Sequence, residues 1–243
     1  MKLIKRFSVA FALSGLLFTV SCNQGEEKKE ETPVLKADTT AVMPAEQAKP
    51  VKPKNMVIIK HKVANFEKWL PGFEAHDTAR LRYGLHNFVI GRGVKDSNMV
   101  MVALWMDDYA KAKEFTLLPD LKAAMQQGGV IGKPEIHFMD MQMLDTSTEA
   151  SPIRLMITHM VKDFAAWETS FESHKQVRLD AGMTDRALGY EMDNSKMVSV
   201  VTVVNDMAKA EAFTASKDLK DKMQAAGVEG PPTLFFYKMA KKY

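Results

Sequence analysis

Apolar and polar residues alternate over residues 57–63, and this segment opens the part of the chain that we expect to fold. One face of it carries Val57, Ile59, His61 and Val63. A spacing of two residues predicts a β-strand. The next segment predicts a helix, because aromatic and basic residues recur every three to four positions after an Asn that can cap the first turn. These residues are Asn65, Phe66, Trp69, Phe73, His76 and Arg80. Gly84 is expected to end the helix.

Two further strands follow and form a predicted hairpin. Residues 86–94 lead through the polar turn 95–98 into a third strand, Met99–Met106. The third strand is apolar almost throughout, a pattern that predicts burial on both of its faces.

A second helix and a fourth strand complete the unit. Asp108 can cap the helix, which is expected to break and restart at Pro119, where the missing N–H costs nothing. Gly129 ends the helix, and Pro134 leads into a last strand over residues 136–141. The element order is therefore strand, helix, strand, strand, helix, strand.

The sequence contains a second copy of this unit. Residues 55–143 match residues 153–241 at a constant spacing of 98 residues without a gap, and about a third of the pairs are identical. A gapless duplication predicts two copies of one fold, which we place at residues 55–144 and 153–241. The matched pairs that bear on function are His61/His159, Trp69/Trp167, Phe73/Phe171, His76/His174 and Arg80/Arg178.

The predicted fold class is α+β. The element order of each unit is ferredoxin-like, with helices on one face of a four-stranded antiparallel sheet. The pattern His-x-Val-x-(Asn/Asp)-Phe-x-x-Trp-x-x-x-Phe-x-x-His with this order resembles the dimeric α+β barrel superfamily, which includes the antibiotic-biosynthesis monooxygenases. The resemblance implies two tandem βαββαβ units that form an intramolecular dimeric α+β barrel of eight strands. It implies no single function, because that superfamily includes oxygenases, isomerases, haem-handling proteins and simple binders.

The N-terminal residues predict export. Residues 1–21 have the basic start, apolar run and small residues of a signal peptide, and the run ends in Thr-Val-Ser before Cys22. This end resembles the lipobox of bacterial lipoproteins, except that Thr19 stands where a leucine is usual. Residues 22–54 are polar and rich in Pro, Glu and Lys, which predicts a lipidated cysteine followed by a disordered tether.

The residues after the cysteine bear on where the protein lies. Asn23 is not the aspartate that retains enteric lipoproteins in the inner membrane, so we expect a lipid anchor in the cell envelope at the outer membrane. Residues 25–31, an acidic and lysine-rich run, resemble the export tag of Bacteroidota surface lipoproteins. They fit an ordinary solvated charge run equally well, so both a surface and a periplasmic face stay open.

Charge argues against a nucleic-acid partner. The chain has 33 Lys and Arg against 30 Asp and Glu, and Lys2, Lys5 and Arg6 of the signal segment account for the excess. The exported chain would be neutral, with no basic field to collect phosphates. Contact with the membrane is expected through the lipid anchor alone.

The matched histidines are the candidate chemical groups. If the first helix packs on the first strand, each unit has a pocket that contains two imidazoles, walled by a Trp and a Phe, with an Arg at its mouth. The acid/base candidates are His61, His76, His159 and His174, and the ligand-binding candidates are Trp69, Phe73, Arg80, Trp167, Phe171 and Arg178. The expected partner is a small hydrophobic or aromatic molecule, and no cofactor or metal is predicted.

Alternatives remain open for these residues. Each His can be a hydrogen-bonded core residue and each Arg a stem over apolar surface. A metal site of Glu74, His76 and His61 is disfavoured, because residues two apart on a helix point in different directions. The last strand of the first unit should carry a ladder of three methionines on one face, Met139, Met141 and Met143. Such a ladder could bind Cu(I), but filling of the core is favoured.

Three functions fit this sequence. The first is a small-molecule binder, the second is an enzyme that resembles the cofactor-independent monooxygenases or related isomerases, and the third is a structural interaction module. The sequence does not decide whether there is a reaction.

Overall fold

We describe residues 52–243 from a computed structural model. The first unit folds in the predicted order. Its first helix, predicted as continuous, is in two pieces, whereas its second helix breaks and restarts at Pro119 as predicted. Its elements are β1 (Met56–Val63), α1 (Phe66–Ala75), α2 (Asp77–Arg82), β2 (Leu85–Gly93), β3 (Met99–Met106), α3 (Tyr109–Leu117), α4 (Pro119–Gln127) and β4 (Val130–Leu144).

The second unit repeats this order element by element. Its elements are β5 (Ile153–Val161), α5 (Phe164–Ser173), α6 (Lys175–Asp180), β6 (Met183–Glu191), β7 (Asn194–Val204), α7 (Met207–Thr214), α8 (Lys217–Ala225) and β8 (Val228–Lys242). Asp side chains cap three of the predicted helix starts, since Asp108, Asp163 and Asp206 each accept a backbone N–H three residues on.

The eight strands close into one antiparallel barrel in the order β1-β3-β2-β8-β5-β7-β6-β4. The two units meet twice, where β2 pairs with β8 and β4 pairs with β6. The two junctions are equivalent, because Gly91 lies opposite Met239 and Gly189 lies opposite Met141. This arrangement confirms the predicted fold class and the intramolecular barrel.

The third strand of the first unit is buried on both faces, as its sequence predicts. Val100, Val102 and Leu104 pack under the helices, whereas Met101 and Ala103 face the barrel interior. The molecule therefore has helix-side cores outside the barrel and a separate apolar core inside it, and each can hold a site of its own.

The last strand of each unit is longer than predicted. β4 runs for 15 residues and contains Pro134, which the sequence places before the strand. The β1–β4 register shifts between Lys60 and Lys62, so Pro134 lies at a bulge, where a missing N–H breaks no ladder bond. A second bulge separates Met143 from Met141. Met143 packs on a helix-side core and Met139 and Met141 face the interior, so the expected ladder of three methionines is wrong.

The predicted signal segment, Cys22 and nearly all of the predicted tether fall in residues 1–51, outside the described part of the chain. Among residues 52–243, no helix is both long enough and apolar enough to cross a membrane.

Candidate functional site

A cavity of about 250 Å³ lies between the sheet and the helices of the first unit. β1 and β3 form its floor, and α1 to α4 form its walls. The structure brings all five sequence-predicted residues of this unit to the cavity. The residues that line it are Ile59, His61, Lys68, Trp69, Gly72, Phe73, His76, Arg80, Val102, Leu104, Phe115, Leu121, Ala124, Met125, Gln127 and Gly128.

The strand and the first helix position the aromatic wall. His61 lies on the helix-facing side of β1, and Trp69 lies one turn into α1, whose start is fixed by the Asn65 side chain accepting the Lys68 N–H at 2.9 Å. The His61 and Trp69 rings meet edge to face, with centroids 5.4 Å apart, and Phe73 stacks on Trp69 at 5.0 Å. The cavity thus has an aromatic side built from three consecutive rings.

His61 is a buried polar group without a polar partner. The residue is 5% exposed, and neither ring nitrogen has a hydrogen-bond partner among the described residues. Burial lowers the pKa of His61 from 6.5 to about 4, so the imidazole is neutral at pH 7. A neutral imidazole holds one donor and one acceptor nitrogen. It can give a hydrogen bond to a ligand and accept one, but it is a weak general base.

His76 lies at a break in the helix that the sequence predicts as continuous. In an uninterrupted helix the Phe73 carbonyl oxygen would accept the Asp77 N–H. Here it accepts the Arg80 guanidinium instead, with Nη1 at 2.8 Å, and the His76 N–H at 3.3 Å. The helix therefore ends at Ala75 and restarts at Asp77. The exposed His76 side chain lies at the rim of the cavity.

Arg80 does not sit at the mouth of the pocket, which corrects the sequence expectation. It is 3% exposed, its guanidinium lies 3.9 Å from the centre of the Phe73 ring, and Nη2 lies 3.3 Å from Asp77. Burial lowers the pKa of Arg80, and the nearby Asp77 carboxylate opposes this by raising it. Arg80 therefore positions Phe73 and the helix break rather than offering a free charge to a ligand.

The second unit repeats the arrangement around a smaller cavity of about 90 Å³. His159 is 6% exposed, and neither ring nitrogen has a hydrogen-bond partner within residues 52–243. Burial lowers its pKa to about 4. Its ring lies 5.3 Å from Trp167, on which Phe171 stacks at 5.1 Å. His174 marks the helix break between α5 and α6 and lines the cavity.

Arg178 is likewise buried rather than at the mouth. Its Nη1 donates to the Phe171 carbonyl, and Nε and Nη2 donate to the two carboxylate oxygens of Asp185 at 2.7 and 2.6 Å. Both Arg178 and Asp185 side chains are 8% exposed. This is a bidentate buried ion pair, stronger in geometry than the single contact of Arg80.

The geometry supports neither the metal alternative nor a role at these cavities for His86 and His137, whose equivalents in the second unit are Thr184 and Phe235. Glu74 accepts hydrogen bonds from Lys241 of the last strand and from Tyr243 just after it, not from His76. No group of three or more His, Cys, Asp and Glu side chains within residues 52–243 could hold a metal ion. His86 pairs with Asp107 at 2.6 Å, and His137 pairs with Glu191 at 2.5 Å, both away from the two sheet–helix cavities.

Sequence reasoning missed the carboxylates that hold the arginines. In the first unit Asp77 on α2 accepts from Arg80 and from Asn87 of β2, the latter at 2.7 Å. In the second unit the equivalent of Asn87 is Asp185, and the equivalent of Asp77 is Lys175. A position-by-position comparison of the two copies carries this signal, because the acid changes place while the arginine stays.

The sequence matches no protein-family profile and no curated protein. Solved structures do share the fold. A candidate monooxygenase from Fusobacterium nucleatum has a TM-score of 0.53 and 14% identity over 77% of this chain and 92% of its own. A candidate monooxygenase from Lactobacillus acidophilus has a TM-score of 0.51, with 12% identity over 77% and 94%. An anthrone oxidase-like protein has a TM-score of 0.51, with 12% identity over 79% and 95%. At these identities the likeness establishes the fold alone.

Proposed function

We propose that this protein is an envelope lipoprotein whose first unit binds a small aromatic molecule that carries a hydroxyl or carbonyl group. The site is the 250 Å³ cavity between sheet and helices. The observation that carries the proposal is the neutral His61, which lies in an aromatic wall and whose ring nitrogens have no partner in the described part of the chain. Buried polar groups are normally hydrogen-bonded, so an unpartnered imidazole at a cavity is supported best by a ligand that supplies the bond.

The aromatic wall sets the shape of the ligand. Trp69 and Phe73 stack at 5.0 Å and present ring surface to the cavity, which favours a flat aromatic body. The Arg80 charge is already taken up by Asp77 and the Phe73 carbonyl, so an anionic group is not required. The ligand is therefore a neutral phenol or aromatic ketone, with its oxygen toward His61.

Binding of 2-naphthol, compared with naphthalene, tests this assignment. Isothermal titration should give one site for 2-naphthol, and His61→Phe should weaken it about tenfold, the value of one hydrogen bond near 1.4 kcal/mol, without weakening naphthalene. The matched control is His159→Phe, which should leave 2-naphthol binding unchanged because the second cavity is only about 90 Å³. Equal losses in the two variants, or no binding at all, would contradict the proposal.

An enzyme is the second candidate, supported by the names of proteins that share the fold. Two are candidate monooxygenases and one is anthrone oxidase-like. His76 at the rim would be the acid/base group there, because the lowered pKa of His61 makes it a weak base. Anthrone oxidation that is lost in His76→Ala and kept in His174→Ala would favour the enzyme, whereas binding without turnover would favour the binder.

The proposed location rests on the first 22 residues. The apolar run before Cys22 and the single cysteine of the chain support acylation of that sulfur at the outer membrane, with a tether to the barrel. Cys22→Ser should release the protein from the membrane fraction into the soluble fraction, and mass spectrometry should lose the acylated N-terminal peptide. Unchanged membrane fractionation of that variant would overturn this part. Protease added to whole cells separates a surface from a periplasmic face.

A further inference from the structure

A third cavity lies inside the barrel, separate from the two sheet–helix cavities. Its volume is about 370 Å³, within the range of ligand pockets, on the order of 300–1,000 Å³. Six methionines line it, and the proposed function uses none of them. They are Met56, Met101, Met139, Met141, Met156 and Met239. Methionine is flexible and polarizable, so this wall can adapt to an apolar body.

The two units contribute different chemistry to this cavity. At five equivalent positions the first unit supplies apolar side chains and the second supplies polar ones. The pairs are Met56/Arg154, Phe88/Arg186, Met101/Ser199, Met139/Tyr237 and Leu144/Lys242. The duplicated barrel thus has an apolar wall facing a polar wall, which a symmetric pair of units would not have.

Arg154 is the cavity residue whose environment indicates an anionic ligand. It is 6% exposed, and its Nη1 donates to the backbone oxygens of Ser151 at 2.6 Å and Ile153 at 2.9 Å. Within the described residues no carboxylate lies at salt-bridge distance from it. Arg186, by contrast, lies 3.3 Å from Asp145 and 3.8 Å from Glu149. A buried cation without a counter-charge is costly, so an anion in the cavity would stabilise it.

Tyr237 adds a hydrogen-bond donor beside this cation. It lies directly opposite Arg154 in the β5–β8 register, and burial raises the pKa of its hydroxyl, so that it stays protonated. Its ring packs over Gly91 of β2, where an added Cβ would lie only 2.3 Å from a ring carbon. The absence of a side chain at Gly91 therefore lets Tyr237 occupy the interior wall.

The linker between the units forms one end of the cavity. Residues 145–152 all line it, and Arg186 bonds to Ser147 of this segment. The cationic groups at this end are Arg154, Arg186 and Lys242, against the carboxylates Asp145 and Glu149. The three cations exceed the two carboxylates by one, and Lys242 is the exposed member of the set. Both carboxylates contact Arg186, so the buried Arg154 is the cation that a ligand with one negative charge would meet.

We propose that the barrel interior binds an amphiphilic organic monoanion, of which a medium-chain carboxylic acid is the simplest member. The carboxylate lies on Arg154 with Tyr237 beside it, and the apolar chain lies along the methionines. This site is independent of the sheet–helix cavities, so either can fail without the other.

Titration of the full folded chain with laurate, with 1-dodecanol as the neutral probe of equal chain length, tests the proposal. The informative variant is Arg154→Met, which places at this position the residue that the first unit carries at Met56. It removes a buried charge and is expected to fold. Laurate affinity should fall at least tenfold, and dodecanol affinity should stay the same. Arg154→Lys should restore part of the laurate affinity, because it restores the charge without the planar fork.

A cavity-filling variant separates binding inside the barrel from binding at the surface. Ala187 lines the cavity and is 9% exposed, so Ala187→Phe should abolish binding of both laurate and dodecanol. Urea unfolding serves as the folding control, and the variant should keep one cooperative transition like that of the unaltered chain. No laurate binding to the unaltered protein, equal weakening of laurate and dodecanol in Arg154→Met, or laurate binding that survives Ala187→Phe would each overturn the proposal.

Discussion

The two sheet–helix cavities share their walls and differ almost threefold in volume, about 250 Å³ in the first unit and 90 Å³ in the second. The buried His, the Trp, the stacked Phe and the clamping Arg occupy equivalent positions in both. The small residues around them differ. The pairs are Gly72/Ser170, Ala124/Lys222 and Gly128/Ala226. The shared residues build a rigid aromatic wall, whereas the small residues decide whether a ligand fits beside it.

The two units also differ in the contacts of the buried arginine that holds the stacked Phe in place, Arg80 in the first unit and Arg178 in the second. We call these contacts the arginine clamps. Arg80 contacts Asp77, whose side chain is 45% exposed, whereas Arg178 pairs with Asp185, whose side chain is 8% exposed. The second unit thus has the firmer clamp and the smaller cavity, and the first has the looser clamp and the larger one. We infer that the second unit contributes stability and the first contributes binding.

The two cavities share a buried neutral histidine, and lowering the pH tests this feature. We expect acid to lower the free energy of unfolding more than any of the substitutions below. His61 and His159 each have a pKa lowered by burial from 6.5 to about 4. Between these values the unfolded chain binds more protons than the folded one, so stability present above pH 6.5 is lost as the pH falls toward 4. At about 1.4 kcal/mol per pKa unit, each imidazole accounts for on the order of 3 kcal/mol. Urea unfolding across this range measures the loss.

Histidine variants test whether the two imidazoles cause this pH dependence. Exposed carboxylates also titrate in acid, so the unaltered chain is compared with His61→Phe, with His159→Phe and with the double variant. The double variant should show a flatter pH curve, and each single variant should remove about half of the difference. Equal slopes in all four proteins would show that the two imidazoles are not buried neutral.

Removing the arginine should destabilise the second unit more than the first. Arg178→Met leaves Asp185 buried without its partner and should lower the free energy of unfolding by about 3–5 kcal/mol. Arg80→Met leaves a half-exposed carboxylate, and its cost should be about 1–2 kcal/mol. Chemical denaturation measures both. Adding Asp185→Asn, the residue type of the first unit at Asn87, should recover part of the Arg178→Met loss; similar losses in the two single variants would contradict the difference between the clamps.

Exchanging the small residues between the units should change binding more than stability. Gly72→Ser with Gly128→Ala introduces the residues of the second unit. An added Cβ at Gly128 would lie 3.2 Å from the Ala124 carbonyl oxygen and 3.5 Å from the Trp69 ring. The 2-naphthol affinity should fall about tenfold, and the free energy of unfolding should change by less than about 1 kcal/mol. The reverse exchange, Ser170→Gly with Ala226→Gly, should raise the titrated stoichiometry above one. An unchanged affinity in the first variant would show that cavity volume does not limit binding.

Local patterns predicted most of the fold. The alternation of residues 57–63 and the Asp caps of α3 and α7 depend on neighbours in the chain. The duplication follows from identities at a constant spacing of 98 residues. The helix break at His76 was missed because it depends on a guanidinium seven residues away from the carbonyl that it binds. The bulge at Pro134 was missed because it depends on the partner strand.

For the candidate site, sequence reasoning found the residues but not their accessibility. The matched spacing placed His61 and Trp69 on facing surfaces, and the structure brings them to one cavity. The same spacing placed Arg80 at an opening, although it is buried, because helical periodicity gives a direction and not a depth.

The sequence by itself determined the duplication, the order of the elements and the doubly buried third strands, because these follow from periodicity and from identity at a constant spacing. Only the tertiary structure decided which side chains share a space. Arg154, Arg186 and Tyr237 come from three strands of the second unit and meet the methionines of the first only when the barrel closes. Cavity volume depends on differences as small as one methyl group against close-packed neighbours, and such differences are set in three dimensions rather than along the chain.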